Sequence, residues 1–140
     1  MIGLKLFQSL TNRDLDILTV LWNSPKSMTA SEIAAADQSL KINTVQAVLR
    51  KLLKNNLIEV ADIVYSGTVL SRSYTPTISQ KDFALSKLTS EYQQLGKNLS
   101  KASLVASLLD TESDQKKVQN DINQLKEMLD NYKKNLSKKS

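Results

Sequence analysis

Residues 40–60 read LKINTVQAVLRKLLKNNLIEV. Lys41, Arg50, Lys51 and Lys54 stand in this stretch, and no acid appears before Glu59. Val45, Val48, Leu49, Leu52 and Leu53 recur at the spacing of one apolar helical stripe. That spacing predicts a helix from about Asn43 to Asn55, with Asn55-Asn56 as a left-handed stop. The opposite face carries Asn43, Gln46, Ala47, Arg50, Lys51 and Lys54. Lysines on a solvated helix face are ordinary, so the flanking elements decide what this charge means.

Upstream, Thr11-Asn12-Arg13-Asp14 resembles a capping box with Asp in place of Glu, and a helix is expected to begin at Thr11. Leu15, Leu18 and Trp22 follow at helical spacing, with Trp22 as a core anchor. Ser24-Pro25 ends the helix, because the residue before proline avoids the helical region. Thr29-Ala30-Ser31-Glu32 is a full capping box and starts a second, short helix that fades by about Ser39. Downstream, LIEVADIVY at 57–65 is rich in β-branched residues and reads as a strand. Ser66-Gly67 supplies a turn, and TVLSRSYT returns to Pro76. Three helices followed by a hairpin is the order of a winged helix-turn-helix.

Helical patterning resumes at about 79–96, where Phe83, Leu88, Tyr92 and Leu95 are the apolar positions and Gly96 a break. A short apolar helix, SLVASLL at 103–109, comes next. In the last helix Val118, Ile122, Leu125, Leu129, Tyr132 and Leu136 are spaced 4, 3, 4, 3 and 4 residues apart, a short heptad seam. The expected fold is therefore mainly α with a small β-hairpin wing. A winged-helix domain over 1–77 precedes a helical dimerisation domain over 78–140. The expected dimer contacts are Leu88, Tyr92, Leu104, Leu108, Val118, Ile122, Leu125, Leu129 and Tyr132.

Composition narrows the chemistry. The 140 residues include 41% hydrophobic and 24% charged side chains, three glycines and two prolines, which argues against disorder. The formal charge is +5, with neither cysteine nor histidine. Disulfides and histidine-assisted nucleophilic catalysis are excluded, and only carboxylates remain for a metal. With no Gly-rich phosphate loop either, an enzyme is not expected, nor a cofactor. The start MIGLKLFQSL is too short and polar for a signal peptide, and no run is long enough to span a membrane. A cytoplasmic protein is expected.

In a helix-turn-helix the second helix of the pair enters the major groove with its N-terminal residues toward the base edges. Here those are Asn43, Thr44, Gln46 and Ala47. Gln and Asn can pair with adenine, Ala can touch a thymine methyl, and Arg50 can reach guanine. Lys51 and Lys54 lie further along and suit phosphates. Thr29 and Arg72 complete the expected DNA-binding set. A winged helix whose third helix binds protein instead is the alternative.

The chain resembles the penicillinase-repressor family of bacterial transcriptional regulators. The resemblance rests on LTNRDLDILTVLWNSPKSMTASEIA at 10–34, NTVQAVLRKLLKNNLI at 43–58, RSYTP at 72–76 and SLVASLL at 103–109. It implies a homodimeric repressor of double-stranded DNA at an inverted-repeat operator. It matches Asn43, Thr44 and Gln46 to the start of the recognition helix, and Arg72 and Tyr74 to the return strand of the wing. Four departures stand out. Lys41-Ile42-Asn43 replaces the usual run before the conserved Thr, so Asn43 is a candidate cap. The wing has Glu59 and Asp62 against the single cation Arg72, a weak phosphate grip. The cysteine cluster of copper-responsive members is missing, and Ser107-Leu108 stands where antibiotic-responsive members are cut at Asn-Phe. The operator, the regulated genes and the inducing ligand, protease or partner are not encoded in any legible motif.

Overall fold

A computed structural model describes residues 3–139. In chain order the elements are α1 (Leu4–Ser9), α2 (Asn12–Asn23), β1 (Met28–Thr29), α3 (Ala30–Ala36), α4 (Ile42–Lys54), β2 (Ile58–Ser66), β3 (Val69–Pro76) and α5 (Gln80–Leu95). A 3-10 turn at Gly96–Asn98, α6 (Lys101–Asp110) and α7 (Gln115–Lys139) follow. The chain divides into two compact units, one up to Gln94 and one from Leu95.

In the first unit, α2, α3 and α4 pack their apolar stripes around Ile17, Leu18, Leu21, Ile33, Val45, Leu49 and Leu52, all buried. Both expected capping boxes form. Thr11 accepts from the Asp14 amide while the Asp14 carboxylate takes the Thr11 N–H, and Thr29 and Glu32 do the same for α3. Each cap contributes roughly 1 kcal/mol. The α4 stripe is buried at Val45, Val48, Leu49 and Leu52, as the periodicity requires. Asn56 stops the helix at φ 59°, in the left-handed region that Asn tolerates.

The sheet has order β1-β3-β2 and is antiparallel throughout. A bulge between Val60 and Asp62 separates its base from the projecting hairpin. This architecture is a winged helix-turn-helix, mainly α with a small sheet.

Five details differ from the expectation. Helix α1 precedes the first predicted helix and has no side-chain cap to announce it. Strand β1 is two residues long and exists by pairing Met28 with Tyr74 and Thr29 with Ser73. Helix α4 starts at Ile42 with Lys41 in the cap position, so Asn43 lies in its first turn and is not the cap. The hairpin turn is Gly67-Thr68, one residue later than expected, with Gly67 at φ 68°. The first unit also runs past residue 77 to take in α5. The cause is aromatic packing. The buried ring of Phe83 meets Phe7 at 5.3 Å edge-on and Trp22 at 5.2 Å. Trp22 Nε1 donates to the Ile78 carbonyl at 2.9 Å, which fixes the entry to α5.

The second unit holds α6 and α7. No residue described in it is buried. Ser100 caps α6 by accepting from the Ser103 amide at 3.0 Å. Among the described residues, no helix of the chain is long and apolar enough to cross a membrane.

Candidate nucleic-acid interface

The turn between α3 and α4 sets the angle of the helix pair. Asp37 Oδ1 accepts from the Ser39 hydroxyl at 2.6 Å and the Ser39 amide at 3.0 Å. These two bonds, with a smaller contribution from Arg13, hold the Asp37 carboxyl below its ordinary pKa. Leu40 then turns inward and is buried, and α4 begins two residues later. Because Lys41 offers no side-chain acceptor, the first amides of α4 lack a side-chain cap.

The α4 stripe that enters the core leaves the opposite side open. Asn43, Gln46, Ala47, Arg50 and Lys54 are exposed, and Thr44 is half-buried. Gln46 and Arg50 line one open cleft with Ala30, Ser31, Leu49, Ser71, Arg72 and Tyr74. The fold therefore brings the middle of α4, the first turn of α3 and the return strand of the wing to one surface. Among the described residues none pairs with Arg50, Lys54 or Arg72 by a hydrogen bond or ion pair. Tyr74 is half-buried and packs on the core.

Two residues of the expected set are engaged within the protein. Lys51 does not offer a free ammonium to phosphate. Its Nζ donates to the Ser9 carbonyl at 2.7 Å and sits 2.5 Å from Asp14 Oδ2. Asp14 is buried, so the pair ties the ends of α1 and α2 to α4. Thr29 is buried as well, and its hydroxyl and amide are both engaged in the α3 capping box. Ser31, in the first turn of the capped helix, lines the cleft and was not predicted. Its position beside Ala30 in a capping box gave no chemical signal of its own. Among the described residues no cluster of three or more His, Cys, Asp or Glu side chains is placed to hold a metal.

A model of the penicillinase repressor family matches residues 10–131. Among curated proteins none matches the sequence. Several solved structures are similar in fold. MepR, a transcription regulator of the Staphylococcus aureus multidrug efflux pump MepA, shares 23% identity over 91% of this chain and 84% of its own, with a TM-score of 0.44. The S. aureus MepR–DNA complex shares 21% identity over 77% of this chain and 84% of its own, with a TM-score of 0.45. NMB1585, a MarR family regulator from Neisseria meningitidis, shares 19% identity over 97% of this chain and 85% of its own, with a TM-score of 0.41. Likeness at this level transfers no residue role.

Proposed function

The chain belongs to the penicillinase repressor family, and on that footing we propose that it is a homodimeric, sequence-specific repressor that places α4 in the major groove of an inverted-repeat operator. The observation that carries this is the open polar face of α4, with Gln46 and Arg50 in one cleft with Arg72 of the wing. Asn43, Thr44, Gln46 and Ala47 occupy the leading turns of α4 and are the base-reading positions. Ala47 is small and lets the helix approach the groove floor. Arg50 suits a guanine edge, and Lys54 and Arg72 suit phosphates. The uncapped start of α4 presents backbone amides at the positive end of the helix, a further phosphate contact. Lys51 holds the domain together and is left out of the contact set.

Dimerisation is supported by the second unit's lack of a core. Leu108, Leu129, Tyr132 and Leu136 are exposed, and Leu104, Val118, Ile122 and Leu125 are half-buried. A helical pair that cannot bury its own apolar seam gains by sharing it with a second copy. Leu88 is exposed and Tyr92 half-buried on α5, and both join this proposed interface. Two copies then set two recognition helices roughly 34 Å apart, one helical turn of DNA.

The test is a binding titration on palindromic duplexes at several salt concentrations. With about three to five phosphates neutralised per protomer, log K falls with log salt at a slope near −0.9 per contact. Gln46→Ala and Arg50→Ala flatten sequence preference, whereas Lys54→Ala weakens all duplexes alike and lowers the slope by about 1. A flat salt response contradicts the proposal. Loss of sequence preference on Lys54→Ala alone contradicts the assignment of the α4 face.

A further inference from the structure

The cleft between α3, α4 and β3 holds two guanidiniums and no counter-charge. Arg50 and Arg72 line it, and none of its other lining residues is an acid. The nearest acid in sequence, Glu32, has Oε1 committed to the Thr29 amide at 3.0 Å. Three hydroxyls share the cleft, those of Ser31, Ser71 and Tyr74. Ser71 and Tyr74 are half-buried, whereas Ser31 is exposed. The Ser31 hydroxyl has no hydrogen-bond partner among the described residues. Neighbouring serines differ: Ser27 donates to Ser73 at 2.9 Å, and Ser73 to the Asp62 carbonyl at 3.2 Å. Ser31 is therefore the hydroxyl of this cleft that an outside enzyme reaches without breaking a side-chain bond. With neither cysteine nor histidine in the 140 residues, thiol oxidation and imidazole titration are closed to this surface.

We propose that Ser31 is a phosphorylation site whose phosphate closes the Arg50–Arg72 cleft to DNA; this rests on the DNA-binding reading above. The donor is a nucleoside triphosphate held by a protein serine kinase. Ser31 Oγ attacks the γ-phosphorus and the new O–P bond forms. The bond to the nucleoside diphosphate breaks with its electron pair on the departing oxygen, and the hydroxyl proton passes to the kinase's base. The ester brings a charge of about −1.5 to −2 and three acceptor oxygens. Guanidinium pairs with phosphate through parallel N–H donors, so one phosphate in the cleft matches both arginines. Arg50 and Arg72 then hold a phosphate fixed in the chain, in place of a base edge and a phosphate of the duplex. The same charge repels the DNA backbone that passes this surface.

The full chain with phosphoserine installed at position 31 during translation, compared with the unmodified chain, tests this. Phosphorylation weakens binding to the palindromic duplex roughly a hundredfold, about tenfold for each arginine withdrawn. The unfolding temperature does not fall. Phosphorus NMR reads the contact without DNA. The second ionisation of the phosphate lies below its ordinary value of about 6, because two cations favour the dianion, and Arg72→Gln moves it back up. Phosphoserine at Ser113, an exposed serine of the second unit, changes affinity by less than about threefold. Mass spectrometry of the chain recovered from its native cells finds phosphate on Ser31. A phosphorylated chain that binds as tightly as the unmodified one, a phosphate that ionises at its ordinary value, or a lowered unfolding temperature overturns the proposal. So does a Ser31 free of phosphate in every growth condition sampled. An unmodified chain that binds no duplex removes the DNA-binding reading, and the release function with it, while the phosphorus signal still reads the contact with Arg50 and Arg72.

Discussion

At the scale of single residues, the most informative position is Lys51. Its position on the polar side of α4 groups it with Arg50 and Lys54, yet its ammonium bridges Asp14 and the Ser9 carbonyl. Asp14 lies 37 positions away in sequence, so no local pattern announces the pair. Removing one partner leaves the buried carboxylate without its cation. Lys51→Ala is expected to lower stability by about 1–3 kcal/mol, measured by urea unfolding, while Lys54→Ala stays within about 0.5 kcal/mol. The salt slope of DNA binding separates the two in the other direction, falling for Lys54→Ala and holding for Lys51→Ala. Equal stabilities for the two variants would return Lys51 to the phosphate contacts. The exposure of Gln46, Arg50 and Arg72 is legible from the faces they occupy, whereas an engaged lysine looks the same in sequence as a free one.

At the scale of elements, signals carried within a few residues were readable and those made by distant pairing were not. The capping boxes at Thr11 and Thr29, the α4 stripe and the Asn56 stop are local chemistry, and each forms as expected. Strand β1 exists only because β3 passes beside it, and α1 is held by Phe7 against Phe83 with no cap of its own. Thr29 is buried in that same pairing and caps α3. Thr29→Ala is expected to cost about 1 kcal/mol through the lost α3 cap. Chemical denaturation reads that loss, and DNA affinity corrected for the folded fraction stays unchanged. A drop in affinity at constant stability would place Thr29 on the DNA after all.

At the scale of the molecule, the first unit is packed around a core, and no described residue of the second is buried. The heptad spacing of α7 was plain in the sequence, and its exposure in the isolated chain is what an intermolecular seam requires. Leu129→Lys sets a charge in that seam. It is expected to shift the sedimentation of the protein from dimer toward monomer, and to weaken operator binding by at least about tenfold through loss of two-site engagement. Unchanged sedimentation would remove α7 from the interface. Selection of bound sites from a random duplex pool tests the central claim most directly, since it reads binding, symmetry and spacing together. The expected result is an inverted repeat whose half-site centres lie about 10 base pairs apart or a multiple of that. Recovery of no enriched sequence, or of a single half-site without its mate, would contradict a paired α4 reading DNA.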